Sequence, residues 1–212
     1  MGDATLKDAE RIVRTIAQTA VDNEAYFSDL DAAVGDADFG HSLATGFGRV
    51  LEQWDDLSYD DVGGLLKAAA IVLSKAVGGV SGPIWGTAFL RAGVALSGKT
   101  DPSGEDVVAA LRAAAEGIMQ RGQAELGDKT LLDALVPATD TLESSLQEGA
   151  SAQEAVAAAA STARSSAEGT LGMLARRGRA SYTGERSRES VDAGAVAVAV
   201  MFENVSAEIG EA

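Results

Sequence analysis

The sequence predicts an all-α fold, and three observations support this prediction. Apolar residues recur at helical spacing along nearly the whole chain, capping residues precede several of these segments, and most connections between them are short. The 212 residues, of which 46% are hydrophobic, are enough to bury a sizeable core. We therefore expect residues 1–212 to form one domain, an antiparallel bundle of about eight helices.

Helical periodicity locates each predicted element along the chain. Thr5 and Asp8 form a capping box before the first helix, and Ser151 with Glu154 forms another before the seventh. The last segment contains an Ala-Val alternation that would suit a buried strand, but its length favours a helix. The helices are predicted at about residues 5–20, 40–54, 62–76, 84–96, 103–118, 132–142, 151–175 and 193–209.

Composition excludes several classes of protein. The chain has 17 Lys and Arg against 32 Asp and Glu, a formal charge of −15 that argues against binding to nucleic acid or to an anionic membrane. The absence of Cys excludes disulfides and thiolate sites, and the single His excludes a two-His metal site. The longest uncharged stretch, residues 76–90, is too short and too broken to span a membrane. We expect no export signal and a cytoplasmic protein.

Two predicted connections are unusually long for a helical bundle. They cover residues 27–40 and 176–192, and both are polar and contain glycine. Long ordered connections in compact domains are more often functional than idle. We therefore expect the chemistry of the protein to lie there.

The first connection contains three carboxylates, those of Asp31, Asp36 and Asp38, within eight residues. Gly35 and Gly40 would allow a non-helical turn in which these side chains converge on one ion. Oxygen ligands without His or Cys suit Mg²⁺ or Ca²⁺ rather than zinc. The alternative is that these acids only cap a helix and carry solvated charge.

The helix predicted after these acids begins at Gly40, His41 and Ser42. A helix N-terminus directs free amides and a partial positive charge outward, which suits phosphate. Carboxylates for a metal beside amides for a phosphate indicate a Mg-nucleotide site. His41 is the only His of the chain, and its alternative role is that of a cap or a surface residue.

Two further segments are candidates for ligand contacts. Residues 77–83 (VGGVSGP) could bring a backbone close to a ligand, although a tight turn with Pro83 opening a helix explains them as well. The second long connection concentrates arginines that could close over phosphates, or that could merely keep a surface loop solvated. These are Arg176, Arg177, Arg179, Arg186 and Arg188.

Residues 93–100 (GVALSGKT) match the Walker A expression, but their surroundings argue against a phosphate-binding P-loop. A working P-loop follows a strand and opens a helix at its Lys-Thr pair. Here Val94 and Leu96 continue a helical segment, and no alternating β/α pattern is present.

Four motifs in the chain resemble those of one family. They are DxxxxDxD at residues 31–38, GGVSGP at 78–83, RGxAxxGDKT at 121–130, and GRASYxGERS at 178–187 with DAG at 192–194. In this order they resemble the nucleotide-binding L subunits of dihydroxyacetone kinases (DhaL), and the resemblance covers essentially the whole chain. It implies an antiparallel barrel of eight helices.

The resemblance also implies site residues. Asp31, Asp36 and Asp38 would hold two Mg²⁺ ions that bridge the phosphates of ADP or ATP, and Arg179 would be the catalytic residue that neutralises charge during transfer. Phe39 departs from the family, which usually has His at this position, and it cannot donate to a phosphate. The residues expected around the nucleotide are Gly40, His41, Ser42, Val80, Ser81, Gly122, Leu131, Arg179, Asp192, Ala193 and Gly194.

The activity implied by the resemblance is phosphoryl transfer to a small ketose, such as dihydroxyacetone or erythrulose, held on a separate DhaK-type subunit. We expect ADP to be retained as a coenzyme that a DhaM-type phosphotransferase-system protein recharges, and direct use of ATP is the alternative. Two further alternatives are a nucleotide-loaded regulator that docks on a transcription factor and a non-enzymatic helical bundle. The resemblance is compatible with a homodimer and with a lipid inside the barrel.

Overall fold

Nine α-helices and two 3-10 helices make up the computed structural model over the residues it describes, 5–76, 79 and 81–210. No strand occurs in these ranges, so the all-α prediction is confirmed. The 3-10 helices are Trp54–Asp56 and Arg179–Glu189. The α-helices are α1 (Leu6–Asp22), α2 (Glu24–Ala32), α3 (Phe39–Glu52), α4 (Val62–Ala76), α5 (Ser81–Ala95), α6 (Gly104–Gly122), α7 (Leu132–Gln147), α8 (Ala152–Glu168) and α9 (Ala193–Gly210).

Eight of these helices close into a ring in which each one packs against the next. The order around the ring is α1, α3, α4, α5, α6, α7, α8, α9 and back to α1, and α2 lies against α3 and α9. Contacts between α4 and α5 are antiparallel, because Gly63 approaches Gly93 while Gly86 approaches Ser74. The predicted antiparallel arrangement of eight helices is therefore confirmed, and α2 is an additional helix.

Capping boxes fix where three of the helices begin. At α8, the Ser151 hydroxyl accepts a hydrogen bond from the Glu154 amide, and the Glu154 carboxylate accepts one from the Ser151 amide. An N-cap side chain of this kind stabilises its helix by about 1 kcal/mol. The same arrangement is made by Thr5 with Asp8 at α1 and by Ser103 with Asp106 at α6.

Among the differences between predicted and observed helix boundaries, two are the largest. The predicted connection at residues 27–40 is helical as far as Ala32, because α2 extends into it. Phe27 is the only buried residue of α2, so this segment lacks the apolar repeat that would reveal a helix. The alanine-rich helix α8 ends at Glu168 rather than near residue 175, and the chain turns away through Gly172, whose φ is 84°.

The last helix, α9, is long and apolar enough to cross a membrane by length and composition alone. Its residues 195–201 are all buried, and it packs against α1, α7 and α8. Burial within the ring accounts for its apolar character, so α9 is a core helix. The Ala-Val alternation of this segment therefore forms a helix, as its length predicts.

Glycine permits the closest approach of α4 and α5. A Cβ added at Gly93 would lie 2.7 Å from the Gly63 carbonyl oxygen and 3.0 Å from the Lys67 nitrogen. Both are backbone atoms of α4, which cannot move without shifting the helix. A Cβ added at Gly48 of α3 would meet only Val21 Cγ2, at 3.7 Å.

We expect Gly93→Ala to lower the free energy of unfolding by about 1–3 kcal/mol, because the added methyl group overpacks the α4–α5 contact. Gly48→Ala is the matched control, and it should raise the free energy of unfolding by about 0.5–1 kcal/mol through better helix propensity. Urea denaturation of both variants measures these changes. Equal effects of the two substitutions would contradict the close packing of α4 on α5.

Candidate functional site

Three aspartates converge where α2 passes into α3. Asp31 lies in the last turn of α2, Asp36 in the connection, and Asp38 is the N-cap residue of α3. Each offers one carboxylate oxygen, and these three atoms lie within 4.8 Å of one another. The turn is tight because the amide of Gly35 donates 2.6 Å to the Asp31 carbonyl and Ala37 has a φ of 61°. The structure thus brings together the three acids that the sequence singles out.

The surroundings of these carboxylates fit a hard cation. Asp31 Oδ2 is buried and has no hydrogen-bond partner among the described residues. A side chain at Gly35 would overlap the Asp31 carboxylate, so this glycine permits the carboxylate to pack directly against the turn. Burial and the nearby charge of Asp31 raise the pKa of Asp38 above its ordinary value. A divalent cation would satisfy the unpaired carboxylate oxygen and relieve the mutual repulsion.

Arg179 reaches the aspartates from the far end of the sequence. Its Nη1 contacts Asp36 Oδ1 and lies 2.9 Å from Asp38 Oδ1, while its Nη2 donates to Asp38 Oδ2 at 2.9 Å. A Cβ added at Gly79 would lie 3.7 Å from the same Nη2, so Gly79 borders this contact. The guanidinium contacts two of the three carboxylates, and its single charge leaves two of the three negative charges uncompensated.

The side chains at the start of α3 are arranged differently from the phosphate-binding arrangement that the sequence predicts. His41 is exposed, and its Nδ1 lies 2.8 Å from Glu24 Oε1 at the start of α2, so its ring is engaged there. A side chain at Gly40 would overlap the Glu24 carbonyl, which shows that this glycine permits α2 to pack on α3. The Ser42 amide already donates to the Asp38 carbonyl at 2.8 Å. The amides of Gly40 and His41 precede that bond and have no intrahelical acceptor.

Phe39, the residue that departs from the family pattern, begins α3 and is partly buried. Its ring centroid lies 6.3 Å from that of Phe27, in a tilted arrangement. Phe39 therefore packs towards the core.

The remaining predicted nucleotide contacts lie at helix ends. Leu131 is the N-cap residue of α7, and its Cβ would lie 3.4 Å from a Cβ on Gly194, in the first turn of α9. Ala193 begins α9, and Asp192 caps it, with Oδ1 accepting from the Ala195 amide at 2.7 Å. Ser81 begins α5, Gly122 ends α6 against Ile84 of α5, and Val80 lies outside the described residues.

The sequence did not single out Asp128 and Lys129 as functional, although both lie in the GDKT motif. Both are buried, with relative exposures of 5% and 2%. Asp128 Oδ2 accepts from Arg177 Nε at 2.9 Å, and the Asp128 carbonyl accepts from the Arg176 amide at 3.0 Å. The concentration of arginines in an acidic chain was the available signal, because arginine commonly pairs with carboxylates.

The Walker A match does not form a P-loop. Its first residues end α5, which stops at Ala95, and no strand precedes them in the described part of the chain. Lys99 Nζ lies 3.2 Å from Asp106 Oδ1, and the Lys99 carbonyl accepts from the Val62 amide at 2.9 Å. The segment instead connects α5 to the capping box of α6, as its surroundings predict.

The raised pKa of Asp192 predicts that the stability depends on pH. Burial raises its pKa to about 7, well above the value of about 3.9 for an unfolded chain. Between about pH 4 and 7 the Asp192 carboxyl is protonated in the folded state but ionised in the unfolded state. The free energy of unfolding therefore falls as pH rises through this range.

We expect Asp192→Asn to remove this dependence, because Asn keeps an oxygen that accepts from the Ala195 amide. The free energy of unfolding of the wild type relative to the variant should fall by at most about 1.4 kcal/mol per pH unit between pH 4 and 7, then level off. Urea denaturation across this range measures the difference. A difference that is constant with pH would contradict the raised pKa.

Comparison with known families and proteins finds clear relatives. A model of the DAK2 domain family matches residues 33–207. The ADP-binding subunit DhaL of the PEP-dependent dihydroxyacetone kinase of Escherichia coli is 40% identical over 178 residues, which cover 84% of this chain and 85% of that protein. The L-erythrulose kinase of Pectobacterium atrosepticum is 36% identical over 180 residues, which cover 84% of this chain and 30% of that kinase.

A solved structure is also similar over nearly the whole chain. It is the dihydroxyacetone kinase from C. freundii in complex with AMP-PNP and Mg²⁺, with a TM-score of 0.74 and 26% sequence identity. The similarity covers 98% of this chain and 35% of that kinase. This chain therefore spans about a third of that kinase's length.

Proposed function

This chain belongs to the DAK2 domain family, and we propose that it is the ADP-binding subunit of a dihydroxyacetone-type kinase. The observation that carries the proposal is the convergence of Asp31, Asp36 and Asp38 beneath Arg179. The similar kinase from C. freundii is described in complex with AMP-PNP and Mg²⁺, the class of ligand that such a cluster suits. We further propose that residues 1–212 form one nucleotide-binding domain.

The three aspartates would hold two Mg²⁺ ions. Their six carboxylate oxygens are hard donors, and the unpartnered Asp31 Oδ2 is available to a cation. When bound, Mg²⁺ neutralises charge on the phosphates of a nucleotide. The carboxylates of the three aspartates are held in a tight turn between α2 and α3. Their fixed positions therefore determine where the phosphates would lie.

The nucleotide would lie between the start of α3 and the starts of the other helices near the aspartates. The free amides of Gly40 and His41 suit a phosphate, and Ser42 follows them in the first turn of α3. Support for the other residues comes from the Leu131–Gly194 contact and from Gly79, which borders Arg179. The remaining proposed contacts are Val80, Ser81, Gly122, Asp192 and Ala193.

Arg179 would be the catalytic residue. Its guanidinium holds carboxylate oxygens of Asp36 and Asp38 that a metal ion also requires. Arg179 must leave these oxygens when ions bind, and it is then free to donate to the transferring phosphoryl group. Planar, always-charged Arg suits this exchange between a carboxylate and a phosphate.

The partners of this chain follow from the same proposal. The acceptor would be held on a separate DhaK-type subunit, and ADP would remain bound as a coenzyme recharged by a DhaM-type phosphotransferase-system protein. The similarity to a subunit named as PEP-dependent supports this donor over free ATP. We propose a cytoplasmic protein, and self-association as a homodimer is compatible with it.

Erythrulose is a second candidate acceptor, because this chain is also 36% identical to an L-erythrulose kinase. A separate acceptor subunit would choose between the two ketoses, so the same nucleotide site would serve either. Phosphotransfer assays with each ketose and its acceptor subunit would distinguish them.

We expect the purified chain to carry about one ADP, because a coenzyme is retained through gel filtration. Acid denaturation followed by chromatography identifies the released nucleotide. An empty protein that binds ATP reversibly would instead assign ATP as the direct donor. A protein that binds neither nucleotide in the presence of Mg²⁺ would contradict the proposed function.

We expect Asp36→Ala to weaken Mg²⁺-dependent ADP binding by roughly 10- to 100-fold, because it removes a metal ligand. Asp29→Ala is the matched control, since it removes an exposed aspartate from the same α2–α3 region without touching the cluster. Titration calorimetry with and without Mg²⁺ measures the affinity. Equal ADP affinity in both variants would leave the aspartates as surface charges and would contradict the metal site.

A further inference from the structure

The ammonium group of Lys129 is buried where the basic segment begins and ends. We use the term basic segment for residues 173–190, which include Arg179. Lys129 Nζ donates to the Met173 carbonyl at 3.2 Å and to the Ser190 carbonyl at 2.6 Å, and it also contacts the Ser187 carbonyl. One side chain therefore joins three points of the basic segment that are far from it in sequence.

The number of acceptors matches the chemistry of lysine. An ammonium carries three N–H donors on a compact, flexible stem, and three carbonyl oxygens surround Lys129 Nζ. A planar guanidinium would spread its donors in a fork and would not match three converging acceptors. Burying a charge is unfavourable without such partners, so Lys129 and the ends of the segment stabilise each other.

Asp128 adds a second attachment next to the first. Its side chain accepts from Arg177 Nε and its carbonyl accepts from the Arg176 amide, so two consecutive residues of the basic segment are held. Arg179 follows Arg177 by two positions. The chain that carries the guanidinium is thus fixed immediately before Arg179 by Asp128 and at both ends by Lys129.

The backbone of Lys129 is held in an unusual conformation. Its φ is 63°, in the left-handed region that residues other than glycine rarely adopt. Asp133 supports the turn, with Oδ1 accepting from the Gly127 amide at 2.5 Å and Oδ2 accepting from the Thr130 amide at 2.7 Å. Such a conformation persists only where the surroundings over-determine it.

We propose that Lys129, assisted by Asp128, is a positioning residue that holds the basic segment so that Arg179 faces the aspartates before any nucleotide arrives. The role assigned to Arg179 rests on the proposed function. The attachment of the basic segment does not, because it is a property of the chain alone. Lys129 touches no reacting atom in this arrangement, and it acts only through Arg179.

Hydrogen–deuterium exchange of the nucleotide-free protein tests the attachment. In Lys129→Met we expect the hydrogen-bonded amides of Gly172, Met173, Ala175 and Arg176 to exchange at least tenfold faster. Leu65→Ala is the control, because Leu65 is fully buried in α4 about 16 Å along that helix from its end near the site. It should destabilise the protein without selective exchange in the basic segment.

Unchanged exchange of these amides in a folded Lys129→Met variant would overturn the proposal. Should that variant fail to fold, Lys129→Gln serves in its place, because Gln retains two N–H donors. We expect it to give an intermediate increase in exchange. Exchange in Lys129→Gln identical to the wild type would likewise overturn the role of the ammonium.

A double-mutant cycle with Arg179→Met tests whether Lys129 acts through Arg179. We expect Lys129→Met to lower kcat for phosphotransfer, and the double variant to be no slower than Arg179→Met alone. Independent, multiplicative losses would show that Lys129 does not act by positioning Arg179. A wild-type chain without phosphotransfer activity, combined with fast exchange in Lys129→Met, would reject the proposed function while leaving the attachment established.

Discussion

Repulsion among three converging carboxylates is the constraint on which the site depends. Asp31, Asp36 and Asp38 each place one carboxylate oxygen within 4.8 Å of the other two, in a chain whose net charge is already −15. A cation beside such a cluster relieves this repulsion. Arg179 supplies one positive charge from the far end of the sequence, which ties the basic segment to the α2–α3 turn.

The ring of helices supplies the rigidity that this convergence requires. Gly40 lets α2 pack directly on α3, so the two helix ends that carry the acids cannot separate freely. On the opposite side, Asp128 and Lys129 project from the α6–α7 connection and hold the basic segment. The site is therefore built from irregular segments whose ends are each fixed by helices, and this arrangement positions side chains more accurately than a free loop would.

The sequence predicted features that depend on local patterns and missed those that depend on distant partners. Helices with a continuous apolar stripe and a capping box were placed well, whereas α2 was missed because only Phe27 is buried in it. The aspartates were found because glycine and oxygen donors share one short segment. Lys129 was not found, because its acceptors are backbone carbonyls between 44 and 61 residues away. Every residue has a backbone carbonyl, so the sequence does not show which ones lie close to a lysine.

The charge of the chain also bears on the order of binding. An acidic protein repels an anionic nucleotide at long range, while the same field attracts divalent cations. Arg179 cannot reverse this repulsion at the aspartates, because its one positive charge balances only one of their three negative charges. A nucleotide bound at this cluster must therefore be accompanied by cations, because its phosphates would otherwise face carboxylates directly. Metal and nucleotide binding are then thermodynamically coupled, each increasing the affinity of the chain for the other.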